Sequence, residues 1–301
     1  MQSAERPLLA IILRIMAALA LGTLMMLVKL ASNSGIAMPE IIFWRQIMTV
    51  PTLLIGLGLA GQLYRLKTKR LRSHALRATL STAGMASLFG ATILLSLPQA
   101  SVLTFTSPFF AVLISAFILH EKIGIWRWSA VALGFCGVLI LAQPGTDNIN
   151  PLGAMVGLIA AMIVVIVSYQ LKDLARTDEP IACVFYLAVF SSLYIAVLLP
   201  FYAESHSMDQ WLLLVAIGIA GLASQYLLTM SLKYGAVATV LIMDYTLLLW
   251  STLYSWLLWD DLPPAATWIG APLIIVAGII ITLRERHRSR RLLPVTAIEL
   301  E

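Results

Sequence analysis

Ten apolar runs of about 20 residues follow one another along this 301-residue chain, and all but the short fifth are long enough to cross a hydrocarbon core about 30 Å thick as a helix. Charged residues make up only 12% of the chain, about half the share found in soluble domains. A water-coated globule and a disordered chain are therefore both excluded. We predict an all-α membrane protein with ten transmembrane helices. The predicted spans are Leu8–Leu30, Ile41–Leu59, Leu76–Leu97, Ala100–His120, Trp126–Leu141, Leu152–Leu171, Ile181–Pro200, Trp211–Leu232, Ala236–Trp259 and Ala266–Leu283.

The basic residues predict the orientation of these spans. If the N-terminus is cytoplasmic, every lysine and arginine except Lys29 and Arg45 lies in or near a cytoplasmic segment. The positive-inside rule then predicts a multi-pass protein of the cell inner membrane with both termini in the cytoplasm. The basic residues lie between apolar runs rather than along one face, so membrane lipids are the expected partner and nucleic acid is not. Cys136, Cys183 and the four scattered histidines suggest no disulfide, metal site or cofactor.

The chain contains an internal duplication. Residues Val28–Arg45 resemble Leu171–Tyr186, and Leu97–Leu141 resemble Lys233–Thr282. Each half holds five predicted spans, and an odd number forces the second half to enter the membrane from the opposite side. We therefore predict two inverted five-helix repeats around a central cavity, an architecture typical of secondary transporters. The predicted boundaries are 1–145, 146–285 and a basic cytoplasmic tail at 286–301.

Short motifs in both halves resemble a known family. They are Pro39-Glu40 with Phe43-Trp44-Arg45, Gln99-Ala100-Ser101-Val102 with Pro108 and His120-Glu121-Lys122, the run from Asp244 to Trp250, Asp260, and Trp268-Ile269-Gly270 with Gly278. On these residues the chain resembles EamA-type members of the drug/metabolite transporter superfamily over residues 8–285. The resemblance implies a ten-helix inner-membrane carrier of small metabolites, not an enzyme. The segment Lys29–Arg45 also resembles S-adenosylmethionine carriers.

Asp244 is the principal candidate for the substrate site. It stands about eight residues, ~12 Å, into the ninth predicted span, where an unpaired charge costs about 2.5–3.5 kcal/mol on insertion scales. A carboxylate at this depth can bind a substrate ammonium group or carry a coupling proton. The alternative is a structural hydrogen-bond anchor between two helices. Tyr245 adjoins it and belongs to the same predicted site.

The fourth span offers a matching polar interruption at Thr106, Ser107 and Pro108. Proline removes a backbone hydrogen bond and can kink a helix, and interrupted segments at corresponding places in two halves indicate a transporter site. The alternative is a plain kink whose free carbonyls are satisfied by the Thr106 and Ser107 hydroxyls.

Three basic residues lie in or at the ends of spans. Arg45, about five residues from the outer end of the second span, can attract a substrate carboxylate, close an external gate with Asp244 or Glu40, or pair with lipid headgroups. We interpret Arg14 as a snorkelling residue near the cytoplasmic end of the first span. Lys29 is interpreted as an anchor at the outer interface.

Uncharged polar and aromatic side chains complete the predicted site. Amides and hydroxyls can orient a substrate, and aromatic faces can hold a planar or cationic group. The alternative for the aromatics is packing against lipid and neighbouring helices. These residues are Tyr169, Gln170, Gln225, Tyr226, Phe109 and Trp250.

The sequence therefore predicts a secondary transporter that works by alternating access. The expected substrate is a small molecule, either an amino acid or an amino-acid-like compound such as S-adenosylmethionine, and a coupling proton is a second candidate partner. No Walker motif is present, so ATP is not the direct energy source. An intramembrane enzyme acting on lipid-linked groups and a structural or sensing subunit are the alternatives. The expected assembly is a monomer or a weak homodimer.

Overall fold

Helices account for all the regular structure that can be described. A computed structural model describes residues 7–117, 120, 124–142, 149–174, 177–234 and 243–291, and within these ranges there is no strand. Two short 3₁₀ helices cover Leu63–Leu66 and Met243–Thr246. The α-helices are α1 (Pro7–Asn33), α2 (Met38–Ile47), α3 (Thr49–Leu59), α4 (Leu71–Leu94), α5 (Leu97–Thr104), α6 (Ser107–Phe117), α7 (Ile125–Ala142), α8 (Pro151–Leu174), α9 (Pro180–Ala196), α10 (Leu199–Tyr202), α11 (Met208–Tyr234), α12 (Leu247–Trp259) and α13 (Ala265–Arg291).

Several of these helices are long and apolar enough to cross a membrane. Within the described ranges, five segments reach the required length and hydropathy, and three further apolar helices are shorter. The five are Leu8–Asn33, Met38–Leu59, Leu97–Ile114, Pro151–Leu171 and Met208–Leu228. The shorter helices are Trp128–Leu141, Pro180–Ala196 and Ala265–Ile280. The prediction of an all-helical membrane protein is confirmed at this level, and the count of ten spans stays a prediction.

Three of the predicted spans are each built from two helices rather than one. The breaks separate α2 from α3, α5 from α6, and α9 from α10. In each case a proline lies in the first turn of the second helix, at Pro51, Pro108 and Pro200. Proline is tolerated in a first turn but lacks the N–H that would bond to the preceding turn. The break at Pro108 agrees with the predicted interruption of the fourth span, whereas the predictions of continuous helices at Pro51 and Pro200 were wrong.

Some predicted ends differ from the structure or lie outside it. The third span begins earlier, since α4 runs over Leu71–Leu94, and the tenth continues past Leu283 because α13 extends to Arg291. The predicted start of the ninth span at Ala236, the Glu121-Lys122 pair and residues 292–301 lie outside the described residues.

Helix packing follows the same pattern in the two halves of the chain. Helix α1 packs along α11 and α12, while α8 packs along α4 and the α5–α6 pair. Helix α11 also packs on α2, as α4 packs on α9. The remaining extensive pairs are α2 with α9, α5 with α12, and α7 with α13. The counterparts in the two halves are α1 and α8, α2 and α9, α4 and α11, the α5–α6 pair and α12, and α7 and α13. When each helix is exchanged for its counterpart, these extensive pairs stay the same.

Two left-handed residues give the register between the halves. His120 and Asp260 are the non-glycine residues with positive φ in the described ranges, at 51° and 49°. The same separation along the chain relates Thr106 to Thr246 and Trp128 to Trp268. Asp260-Asp261 therefore occupies the positions in the second half that His120-Glu121 holds in the first.

Candidate substrate site

Asp244 lies in the first described turn of the ninth predicted span. Residues Met243–Thr246 form a 3₁₀ turn that leads into α12. The Thr246 hydroxyl donates a 2.7 Å hydrogen bond to the Met243 carbonyl and supports the turn. The turn places the carboxylate of Asp244 beside α1.

The fourth predicted span is interrupted at the corresponding position, between α5 and α6. The Thr106 hydroxyl donates to the Leu103 carbonyl at 2.6 Å, and the Ser107 hydroxyl donates to the Thr104 carbonyl at 2.7 Å. The Ser107 hydroxyl therefore satisfies the Thr104 carbonyl, which Pro108 cannot bond, while the Leu103 carbonyl also accepts from the Thr106 N–H at 3.1 Å. The break at Pro108 and the turn at Asp244 lie at matching positions of the two halves, as expected of a transporter site.

Asp244 forms a bidentate ion pair with Arg14 on α1. Both carboxylate oxygens accept hydrogen bonds from the guanidinium, from Nε to Oδ1 and from Nη2 to Oδ2. Arg14 Nη1 also donates to Ser231 Oγ of α11 at 3.4 Å. The Arg14 side chain is 5% exposed and that of Asp244 is 38% exposed. The interpretation of Arg14 as a snorkelling interfacial residue was therefore wrong.

Tyr245, next to this ion pair, contacts Phe105 at the end of α5 and Gly278 on α13. Its ring meets the ring of Phe105 edge to face, with the centroids 4.9 Å apart. Its hydroxyl lies against Gly278 of α13, where a Cβ atom would come within 1.9 Å. Asp244 and its neighbour thus stand where α1, α5 and α13 approach α12.

Trp250 lies on α12 and faces α1. A Cβ on Gly22 would lie 3.1 Å from Trp250 Cβ, and Tyr254 shares a 2.8 Å hydrogen bond with Thr23. The indole Nε1 of Trp250 is buried and has no hydrogen-bond partner among the described residues. Phe109 is buried on α6 instead, with its ring filling the space above Gly134.

The four remaining polar candidates lie on two other helices. Tyr169 and Gln170 belong to α8, which packs on α4, whereas Gln225 and Tyr226 belong to α11, which packs on α1. Tyr169 and Tyr226 are both more than a third exposed. The Gln170 Oε1 atom is buried without a hydrogen-bond partner among the described residues.

Arg45 lies away from the Asp244 ion pair, on α2. Asp244 is paired with Arg14, and the Glu40 carboxylate bonds instead to His206 Nε2 at 2.9 Å. The predicted gate between Arg45 and either carboxylate was therefore wrong. Arg45 is only 5% exposed, so pairing with lipid headgroups is excluded as well.

A second buried histidine–carboxylate contact joins the first turn of α4 to the loop that precedes α9. His74 Nε2 lies 2.6 Å from Asp178 Oδ2, and Thr68 donates to the same oxygen. Burial opposes ionisation of Asp178, but hydrogen bonds from Thr68, His74 and Thr177 outweigh it and hold the pKa of the carboxyl below its ordinary value. No sequence signal links these residues, because His74 and Asp178 are 104 positions apart.

Comparison with known proteins identifies the type of protein. The profile of the EamA-like transporter family matches residues 8–143 and again 151–284. A riboflavin transporter of Vibrio cholerae is 30% identical over 228 residues, which cover 75% of this chain and 76% of the relative. The pseudopaline exporter of Pseudomonas aeruginosa is 28% identical over 273 residues, or 90% of this chain and 95% of the exporter. An S-adenosylmethionine uptake transporter of Rickettsia felis is 27% identical, covering 75% and 76% of the two chains.

A crystal structure of another protein shares the fold. It superposes with a TM-score of 0.58 at 22% identity, and the match covers 90% of this chain and 97% of the other. At that identity the likeness concerns the fold alone.

Proposed function

Because the chain belongs to the EamA-like transporter family, we propose that it is a secondary transporter that moves a small metabolite across the inner membrane by alternating access. The relatives are small-molecule transporters of bacteria, so the chain is a multi-pass membrane transporter and not an intramembrane enzyme. What we add to the family assignment is the mechanism, the site and the cargo.

The ion pair between Arg14 and Asp244 carries the proposal. Two opposite charges within the spans neutralise each other, and the pair joins α1 to the 3₁₀ turn before α12. A substrate ammonium group, or a proton, can take the place of the guanidinium on Asp244. The contact between α1 and α12 is then released, and this release couples substrate binding to a change in access.

The two halves supply the moving parts of this mechanism. The family profile matches the chain twice, and the packing pairs exchange between the halves. Both observations support two inverted five-helix repeats, residues 1–145 and 146–285, followed by the basic tail at 286–301. We propose ten spans around a central cavity, with both termini in the cytoplasm. Tyr245, Thr106, Ser107 and Trp250 would line the path beside Asp244.

An amino-acid-like compound is the first candidate cargo. S-adenosylmethionine, the cargo named for one relative, carries an ammonium group that suits Asp244. Riboflavin, named for a relative with higher identity, is the second candidate, because its planar ring suits the faces of Trp250 and Tyr254.

Uptake by proteoliposomes tests the proposal. Purified protein is reconstituted, and saturable flux of radiolabelled S-adenosylmethionine, the proteinogenic amino acids and riboflavin is compared with flux in protein-free liposomes. A preceding thermal-shift screen of the same compounds shows which of them the folded protein binds. We expect saturable flux of at least one compound. Protein that is folded and reconstituted but transports none of them would contradict the proposed cargo.

A further inference from the structure

Arg45 is a buried charge that has no counter-ion among the described residues. Its side chain is one of the few buried guanidinium groups, at 5% exposure. Arg14 pairs with Asp244. Arg65 pairs with Glu179 just before α9, and Arg70 pairs with Asp173 at the end of α8. No carboxylate of the described ranges lies within ion-pair distance of Arg45. A buried charge is normally paired, because an isolated one is costly in a medium of low polarity.

The contacts that Arg45 does make are weak or incomplete. Its Nη1 donates to Gln46 Oε1 and to Met85 Sδ, each at 2.9 Å, and a thioether is a poor acceptor. The guanidinium carbon lies 6.0 Å from the centroid of the Phe89 ring, at the outer limit of a cation–π contact. Gly221 of α11 closes the other side, where a Cβ would come within 2.8 Å of Nε. None of these groups neutralises the charge.

The unsatisfied buried atoms of Arg45 and Gln46, and those farther along the α4 face that contacts Arg45, can all donate a hydrogen bond. Arg45 Nε and Gln46 Nε2 are buried and have no partner among the described residues. Ser81, one turn before Met85 on α4, has a buried hydroxyl without a partner, and Arg77 Nε, one further turn away, is in the same state. A water molecule could satisfy such donors but would leave the charge. An anion would satisfy the donors and also neutralise the charge.

We propose that Arg45 and Gln46 bind the carboxylate of the transported metabolite. The inference rests on the proposed function and adds a second recognition point, distinct from Asp244. Asp244 meets a cationic group between α1 and α12, whereas Arg45 meets an anionic group between α2, α4 and α11. Arg14 contacts α11 at Ser231 and Arg45 contacts it at Gly221, ten residues and ~15 Å away, so the two points meet the cargo at different places along its path.

Benzoate and benzamide test the anion site without knowledge of the cargo. They have the same shape, but only benzoate carries the negative charge. We expect benzoate to raise the Tm of the full-length protein in detergent saturably, by roughly 2–4 °C, and benzamide to leave it unchanged. Arg45→Gln should abolish the benzoate shift, and Arg65→Gln, which alters an exposed pair, should preserve it. A benzoate shift that persists in Arg45→Gln would overturn the proposal.

Met85→Glu keeps the test decisive if Arg45→Gln fails to fold. The substitution supplies an internal carboxylate where the Met85 sulfur now contacts Nη1. We expect a higher Tm without any ligand and no further response to benzoate. If the Tm does not rise, or if benzoate still stabilises the variant, no anion is missing at Arg45 and the proposal fails.

Flux measurements separate this inference from the proposed function. Transport that is saturable and unaltered in Arg45→Gln would refute the anion site and leave the transporter assignment intact. If benzoate binding depends on Arg45 but the protein transports none of the compounds tested, the anion site is supported and the proposed cargo is refuted.

Discussion

Two of the charges within the apolar helices, Asp244 and Arg14, are explained by each other. Asp244 and Arg14 neutralise each other across α1 and the 3₁₀ turn, although 230 positions separate them along the chain. Asp244 could be singled out from the sequence, because a carboxylate deep in an apolar run is costly. Its partner could not, because the sequence contains no signal for which helices pack together. Arg14 resembled an ordinary interfacial arginine for that reason.

Removing one member of this pair should destabilise the protein more than removing both. We expect Arg14→Gln to lower the free energy of unfolding by less than the ~3–5 kcal/mol typical of fully buried pairs, because Asp244 is 38% exposed. The double variant Arg14→Gln/Asp244→Asn should recover part of the loss. Thermal melts in detergent of the two single variants and the double variant measure the coupling. Additive effects would show that the two side chains do not interact.

The Asp178 contact predicts a pH dependence of stability. The pKa of Asp178 lies below its ordinary value, so its stabilising effect is complete above the unfolded pKa of ~4 and is lost as the pH falls through the folded pKa. We expect Asp178→Asn to lower the free energy of unfolding at pH 7 by about 1–3 kcal/mol. Thermal melts measure this as a lower Tm. The difference from the wild type should shrink towards pH 3. If the difference between the wild type and Asp178→Asn is as large at pH 3 as at pH 7, ionisation of Asp178 does not contribute to the stability.

At the scale of helices, run length predicted the positions of the elements but not their continuity. Apolar runs of about 20 residues predicted where the described helices lie. An interruption was predicted at Pro108 but not at Pro51 or Pro200, because proline is also common within intact membrane helices. The hydroxyls near Pro108 fit both a functional interruption and a plain kink, and they bond to the Leu103 and Thr104 carbonyls.

Helices α7 and α13 should depend on glycine for their close approach. A Cβ on Gly137 would lie 2.8 Å from the Gly270 carbonyl oxygen, a backbone atom that cannot move alone. We expect Gly137→Ala to lower the stability by about 1–3 kcal/mol. The control is Gly56→Ala on α3, which meets no atom within 4 Å and removes a glycine from a helix. Thermal melts compare the Tm of the two variants with that of the wild type. If Gly137→Ala and Gly56→Ala change the Tm equally, the close contact between α7 and α13 does not contribute to stability.

At the scale of the whole molecule, the odd number of predicted spans per half requires the halves to be inverted. We expect Ser34→Cys and Ser205→Cys, each in a variant lacking Cys136 and Cys183, to react with a membrane-impermeant maleimide added outside intact cells. Gln62→Cys should react only after the cells are permeabilised. Labelling of Gln62→Cys from the outside would contradict the proposed orientation.

The composition and the two similar halves predicted the class of fold and the type of protein, since both follow from the sequence directly. The pairing of the helices across the halves did not follow, because it depends on contacts between residues distant in the chain. The same pairing determines which charges meet in the candidate site.

The most direct test measures whether transport requires the carboxylate of Asp244. Saturable flux of the best substrate into proteoliposomes is compared for the wild type, Asp244→Asn and the control Asp209→Asn, which alters an exposed carboxylate on α11. Reconstitution is matched by the amount of folded protein. We predict that Asp244→Asn abolishes flux while Asp209→Asn retains it. Wild-type flux in folded Asp244→Asn would contradict the account.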